Sequence, residues 1–115
     1  MKIVIIGGDA AGLSAGAQIK RLSPETEVTV LERKNYISYS NCSIPYILSG
    51  KIASMQDIIH LTPEVYTATR GPEVIIAAEV IKINSSQKIV LFKKGGNVEK
   101  IHYDRLIIAS GASYA

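Results

Sequence analysis

KIVIIGGDAAGLSAGAQIKRLSPETEVTVLE, residues 2–32, decides how the rest of the chain is read. Its opening, Lys2-Ile-Val-Ile-Ile6, is an apolar, β-branched run of the kind that forms a buried parallel strand. Gly7-Gly8-Asp9-Ala10-Ala11-Gly12 follows at once, residues 13–22 have the pattern of a helix, and Glu27-Val-Thr-Val-Leu31 has that of a second strand. Glu32 closes the unit. Strand, glycine turn, helix, strand and terminal acid, in that order, form a dinucleotide-binding βαβ fingerprint. Glycines in the turn let the backbone approach a pyrophosphate, and the first N–H groups of the helix, which lack partners within it, face that anion. An acid at the end of the second strand accepts hydrogen bonds from both hydroxyls of an adenosine ribose and repels a 2′-phosphate. Gly7, Gly8, Asp9, Ala10, Ala11, Gly12 and Glu32 are therefore candidate cofactor-binding residues. Asp9 stands where the usual pattern has its middle glycine, and a carboxylate beside a pyrophosphate is unfavourable. Its side chain is expected to point away from the ligand, with Gly8 supplying the close approach. The competing reading is a glycine-rich turn that only packs a helix tightly on a sheet.

Outward from this unit, a length of 115 residues bounds the chain at one domain. With 47% hydrophobic and 20% charged residues it can bury a core and has no disordered composition. The net charge is +3, and its densest basic cluster, Lys93-Lys94, adjoins Gly95-Gly96. That reads as a solvated hairpin tip rather than a nucleic-acid surface, so no nucleic-acid partner is expected. No apolar run approaches bilayer-spanning length, and the N-terminal one is too short for a signal peptide. No membrane association is expected, and the setting is read as a reduced cytoplasm. One cysteine excludes an internal disulfide framework and a cysteine-only metal site. His60 and His102 have no ligand-like spacing, so no metal is expected.

Beyond Glu32, residues 34–40 are polar and turn-like. Residues 42–48 suit a short helix, with Pro45 near its start and Gly50 at its end. Residues 54–59 read as a loop. Thr62-Pro63-Glu64 is a helix start, with Thr62 as N-cap and Pro63 in the first helical position. That helix should run to about Thr69 and end at Gly71-Pro72. Residues 74–76, 79–83, 88–93 and 98–103 then read as strands of a β-meander, with turns at Asn84-Ser-Ser-Gln87 and Gly95-Gly96-Asn97. Residues 106–110 form a further buried strand, expected to return to the parallel sheet beside the first. The fold class is α/β: a partial Rossmann-like domain with a parallel sheet and a small antiparallel β-meander.

The second informative stretch is Ser38-Tyr39-Ser40-Asn41-Cys42-Ser43-Ile44-Pro45-Tyr46. A cysteine at a helix N-terminus gains thiolate stability from the helix dipole. That dipole is worth about 0.3–1 kcal/mol, which leaves most of an ordinary thiol protonated at neutral pH. A reactive Cys42 needs further help, from Ser38, from Asn41 or from an adjacent cofactor. By spacing alone Cys42 also suits a small buried hydrophobe.

Three anchors together give the chain a resemblance to the N-terminal part of the FAD-dependent pyridine nucleotide-disulfide oxidoreductases. They are the glycine turn with Glu32, the Ser38-x-x-x-Cys42 segment, and Tyr103-Asp104-x-Leu106-Ile-Ile-Ala-Ser110-Gly111. The resemblance covers essentially all of the chain. It implies FAD as cofactor, held by Gly7, Gly8, Gly12, Glu32, Ser110 and Gly111. Arg33 lies along the adenine or is simply an exposed surface arginine. Members like glutathione reductase carry a second cysteine in the helix, where this chain has Ile47. The pattern therefore is similar to the single-cysteine branch: coenzyme A-disulfide reductases, NADH oxidases and peroxidases, and persulfide or sulfur reductases. Ala10 stands where the oxidases and peroxidases typically have a histidine, and Asn41-Cys42-x-x-Pro45-Tyr46 looks more like the coenzyme A-disulfide reductases.

The resemblance implies a relay from NAD(P)H through FAD to Cys42, with Ser38 and Asn41 as polar supports. Cys42 acts there as nucleophile toward a small-molecule disulfide or persulfide. If the parent is instead an oxidase, oxygen is the acceptor and Cys42 cycles through a sulfenic acid. A nucleotide-binding module in which Cys42 only packs is a third reading, and an NAD-binding regulatory domain is a fourth. Residues 1–115 are expected to be the N-terminal portion of the FAD-binding domain. The family's NAD(P)H-binding and dimerisation domains are expected to be missing from this chain, which alone should not transfer hydride. The parent enzyme is expected to be a homodimer.

Overall fold

A computed structural model describes residues 1–37 and 62–109. The predicted helix at 42–48 and loop at 54–59 lie outside the described residues. Two sheets are present among them. The first is parallel and is built on β1 (Lys2–Ile6), with β2 (Glu27–Leu31) on one side and β7 (Arg105–Ile108) on the other. β3 (Glu73–Ile75) extends it beyond β2, giving the order β3-β2-β1-β7. The second is an antiparallel meander of β4 (Glu79–Asn84), β5 (Ile89–Lys94) and β6 (Asn97–His102).

The last strand returns beside the first, as expected, with Ile3 opposite Arg105 and Ile6 opposite Ile108, but it is not the buried strand expected: it ends the sheet order among the described residues and Ile108 is 64% exposed. The pairing of one strand and the start of one helix are also corrected. The strand near residue 74 does not open the meander but pairs in parallel with β2, Val30 opposite Val74. The helix α2 (Pro63–Arg70) lies directly before it in the chain, and a strand reached through a crossover helix enters a sheet in parallel. The first helix, α1 (Ala10–Leu22), begins three residues before the apolar stripe that signalled it at Leu13. Ala10, Ala11 and Gly12 thereby become its first turn.

Period-2 alternation distributes the strand residues between two cores. Ile3, Ile5, Val28 and Val30 face α1 and α2, where they meet Leu13 and Tyr66. Val4 and Leu31 face the meander, where they meet Ala78, Val90 and Phe92. Tyr66 is fully buried and its hydroxyl donates to the Leu13 carbonyl, which ties α2 to α1 without leaving a polar atom unpaired. Gly16 makes the close approach possible, since a Cβ there would lie 2.9 Å from that hydroxyl.

The ends of α2 follow from its sequence. Thr62 Oγ1 accepts from the Val65 N–H at 3.1 Å, Pro63 occupies the first turn, and Gly71 ends the helix at φ 105°. The β5–β6 hairpin turns through Gly95 and Gly96, both at positive φ, as a two-residue hairpin turn requires. Lys94 beside them is not simply solvated. Its ammonium donates to the Ile76 carbonyl at 2.6 Å and fastens the tip to the chain after β3.

Candidate functional site

The site is assembled where β1 and β2 end and α1 begins. Glu32, the residue after β2, is only 5% exposed. A buried carboxylate is tolerable only with strong partners. It has two: Oε1 accepts from the Gly8 N–H at 2.8 Å, and Oε2 accepts from the Lys34 N–H at 2.7 Å. A carboxylate offers about four lone-pair sites, so one further bond per oxygen remains for two adjacent hydroxyls.

The glycines have distinct duties. A Cβ on Gly8 would stand 3.0 Å from Glu32 Cβ and 3.2 Å from Oε1, so the close approach that Gly8 permits is to the Glu32 side chain. A Cβ on Gly12 would overlap the Gly7 carbonyl oxygen, so the first turn of α1 sits against the end of β1 only because Gly12 has none. Gly7, at φ 116°, makes the reversal out of the strand and donates its N–H to the Leu31 carbonyl at 2.9 Å. The result is backbone brought close to a buried acid, with a helix N-terminus beside both, an arrangement able to take an anionic, hydroxyl-bearing ligand.

Asp9 is the N-cap of α1, and its carbonyl accepts the Leu13 N–H at 2.9 Å. Its side chain makes no capping bond. It turns instead toward Lys34, Oδ1 to Nζ 3.7 Å, with both side chains part-exposed. That partner is a cation two residues after Glu32 that the sequence reading did not single out. Ala10 is half-buried, and Ala11 and Arg33 are exposed. Ser38, Asn41, Cys42, Ser110 and Gly111 lie outside the described residues.

A second feature was not anticipated from the sequence. A cleft of about 580 Å³ lies between α1 and α2, and its lining includes Gln18, Lys20, Arg21, Thr69 and Arg70. Lys20 donates to the Pro24 and Thr26 carbonyls and keeps its charge, so Lys20, Arg21 and Arg70 together make the rim positive. The signal lay in the spacing Ser14, Ala17, Gln18, Arg21, which is one helical stripe. No helix among the described residues is long and apolar enough to cross a membrane.

Comparison with known proteins bears on this arrangement. A family model described as pyridine nucleotide-disulphide oxidoreductase matches residues 1–115. An NADH oxidase of Methanocaldococcus jannaschii is 38% identical over 113 residues, which are 97% of this chain and 25% of the relative. A CoA-dependent NAD(P)H sulfur oxidoreductase of Pyrococcus furiosus is 40% identical over 112 residues, 97% of this chain and 25% of the relative. The solved structure of an NAD-dependent persulfide reductase from A. fulgidus superposes with a TM-score of 0.81 at 29% identity, covering 96% of this chain and 21% of that one. The chain thus spans about a quarter of the length of the curated relatives it matches.

Proposed function

The chain belongs to the pyridine nucleotide-disulphide oxidoreductase family, and from that premise we propose that it is the FAD-binding N-terminal portion of an NAD(P)H-dependent flavoprotein disulfide or persulfide reductase. The observation that carries the reading is the Gly8–Glu32 cradle at the N-terminus of α1, with Glu32 buried and held by two backbone N–H groups. NAD(P)H-binding and dimerisation parts belong to the longer protein, which is a cytoplasmic homodimer in this reading.

Glu32 would receive the adenosine ribose hydroxyls. The first-turn N–H groups of α1 would receive the pyrophosphate, as helix N-termini do. Gly8 and Gly12 let Glu32 and the start of α1 close around that space, Gly7 turns the chain out of β1 beside it, and Arg33 would serve the adenine and Ser110 and Gly111 the phosphates. FAD, when bound, supplies the two-electron relay between NAD(P)H and sulfur. Cys42 provides the nucleophile: its thiolate attacks one sulfur of the acceptor disulfide, a mixed disulfide forms and the other sulfur leaves as thiolate. Ser38 and Asn41 support the thiolate.

The acceptor we favour is a disulfide or persulfide of the coenzyme A type. Such a molecule carries phosphates, and the arginine-rimmed cleft between the helices suits them. An oxidase that cycles Cys42 through a sulfenic acid has the M. jannaschii relative in its favour.

The test is Cys42→Ser in the full-length protein. The expected result is retained flavin absorbance with disulfide and persulfide reduction lowered by at least about a hundredfold, the scale of losing the nucleophile of a covalent mechanism. Undiminished reduction would leave Cys42 a packing residue. Oxygen consumption without disulfide that vanishes in the variant would select the oxidase.

A further inference from the structure

We propose that Lys34 is a positioning residue of the cofactor site: its ammonium holds the Asp9 carboxylate off the N-terminus of α1 and leaves that N-terminus to the pyrophosphate. The inference rests on the dinucleotide reading of the turn given above.

Aspartate is among the strongest N-cap residues, and its side chain ordinarily accepts the second or third N–H of the helix, here those of Ala11 and Gly12. Asp9 has the extended backbone that capping needs, φ −91° and ψ −178°, yet its side chain makes no cap bond. The carboxylate is directed to Lys34 instead, at 3.7 Å. A capping Asp9 would be an intramolecular competitor. It would consume the N–H groups a phosphate needs and leave a negative charge where two more must sit.

Lys34 is placed for this duty by its backbone. Its N–H donates to Glu32 Oε2 at 2.7 Å, and its carbonyl accepts from Ala77 at 2.7 Å. Its ammonium lies 5.4 Å from the centre of the Tyr36 ring, a second favourable contact. Because the pair is 38% and 42% exposed, its strength is modest. Modest strength suffices. The pair competes with a single side-chain cap bond of similar size, so it governs what fraction of molecules present an open helix end. Apparent affinity scales with that fraction.

The experiment uses full-length apoprotein, titrated with FAD by flavin fluorescence and with adenosine diphosphate by calorimetry. Lys34→Met is expected to raise both dissociation constants roughly fivefold, by depleting the competent fraction. Asp9→Ala removes the competitor, so Lys34→Met combined with Asp9→Ala should bind within about twofold of Asp9→Ala alone, the non-additivity expected of residues in contact. Lys34→Arg keeps the cation and should bind like the natural protein. A double variant as weak as Lys34→Met overturns the inference, because Lys34 would then act on the cofactor without Asp9. Wild-type affinity in Lys34→Met overturns it as well. Natural protein that binds neither probe overturns the dinucleotide reading and this inference with it, and that result is distinct from the other two.

Discussion

Val4 and Ile5 are neighbours on β1, and both are fully buried, yet they belong to different cores. Ile5 faces two helices, and Val4 faces the meander. The helical side places α1 so that its N-terminus meets Gly7, Gly8 and Glu32, the groups on which the proposed cofactor binding rests. The meander side contributes Val90 and Phe92 to the core and leaves Ile81, Ile83 and Val98 with large exposed areas. The contrast teaches that one sheet is stabilised on two faces, while its candidate site lies at one end of it, beyond the central strands β1 and β2. The two regions still touch. Ala78 donates to the Glu32 carbonyl at 2.9 Å, so the segment leading into the meander braces the acid's backbone.

The largest effect should come from Phe92→Ala, which removes the meander's principal anchor. Phe92 is 4% exposed, and truncating a buried phenylalanine costs about 3–5 kcal/mol. Urea denaturation should show that loss, while flavin bound per folded molecule stays at the natural level. Flavin lost in proportion to stability would break the separation between the two regions.

Glu32→Gln should show the reverse pattern. Glutamine keeps one acceptor, but its amide NH₂ meets either the Gly8 or the Lys34 N–H, donor against donor. Stability should fall by about 1–3 kcal/mol, the scale of a lost charge-assisted bond. Flavin retention on desalting should fall much further than in Phe92→Ala, despite the smaller loss of stability. Equal retention in the two variants would remove Glu32 from the site.

How much of this was legible in the sequence follows the range of the interactions. The run from Lys2 to Glu32 could be read because alternation, glycine and acid all act locally. The start of α1 was read late because Ala10, Ala11 and Gly12 carry no apolar stripe; their helical state is enforced by packing against the end of β1. Glu73–Ile75 was readable as a strand but not as a partner of β2, since three residues hold no record of which edge they join. The bond from Gly8 to Glu32 was not legible, because the fingerprint assigns the glycine's close approach to a ligand and the acid's bonds to ribose hydroxyls. The Lys34–Asp9 pair was invisible, because it joins two loops that only the finished βαβ unit brings together.

The smallest expected effect is also the sharpest test of the contrast. Ile81 sits at the irregularity where pairing with β5 shifts between Val80 and Lys82, and it is 47% exposed. Val80 lies opposite Phe92 and Lys82 opposite Leu91, so Ile81 has no cross-strand partner in the register. Threonine keeps the β-branch and the strand preference while removing apolar surface that water already reaches. Ile81→Thr should therefore change stability by less than about 0.5 kcal/mol, with flavin binding untouched. A loss above about 1 kcal/mol, in the range of burying an unsatisfied hydroxyl, would mean that the outer face of the meander is covered in the full-length protein. The meander would then be a layer packed on both sides. Its exposed Ile83 and Val98 would have to be counted as core, and the asymmetry between the two faces of the sheet would belong to this portion of the molecule alone.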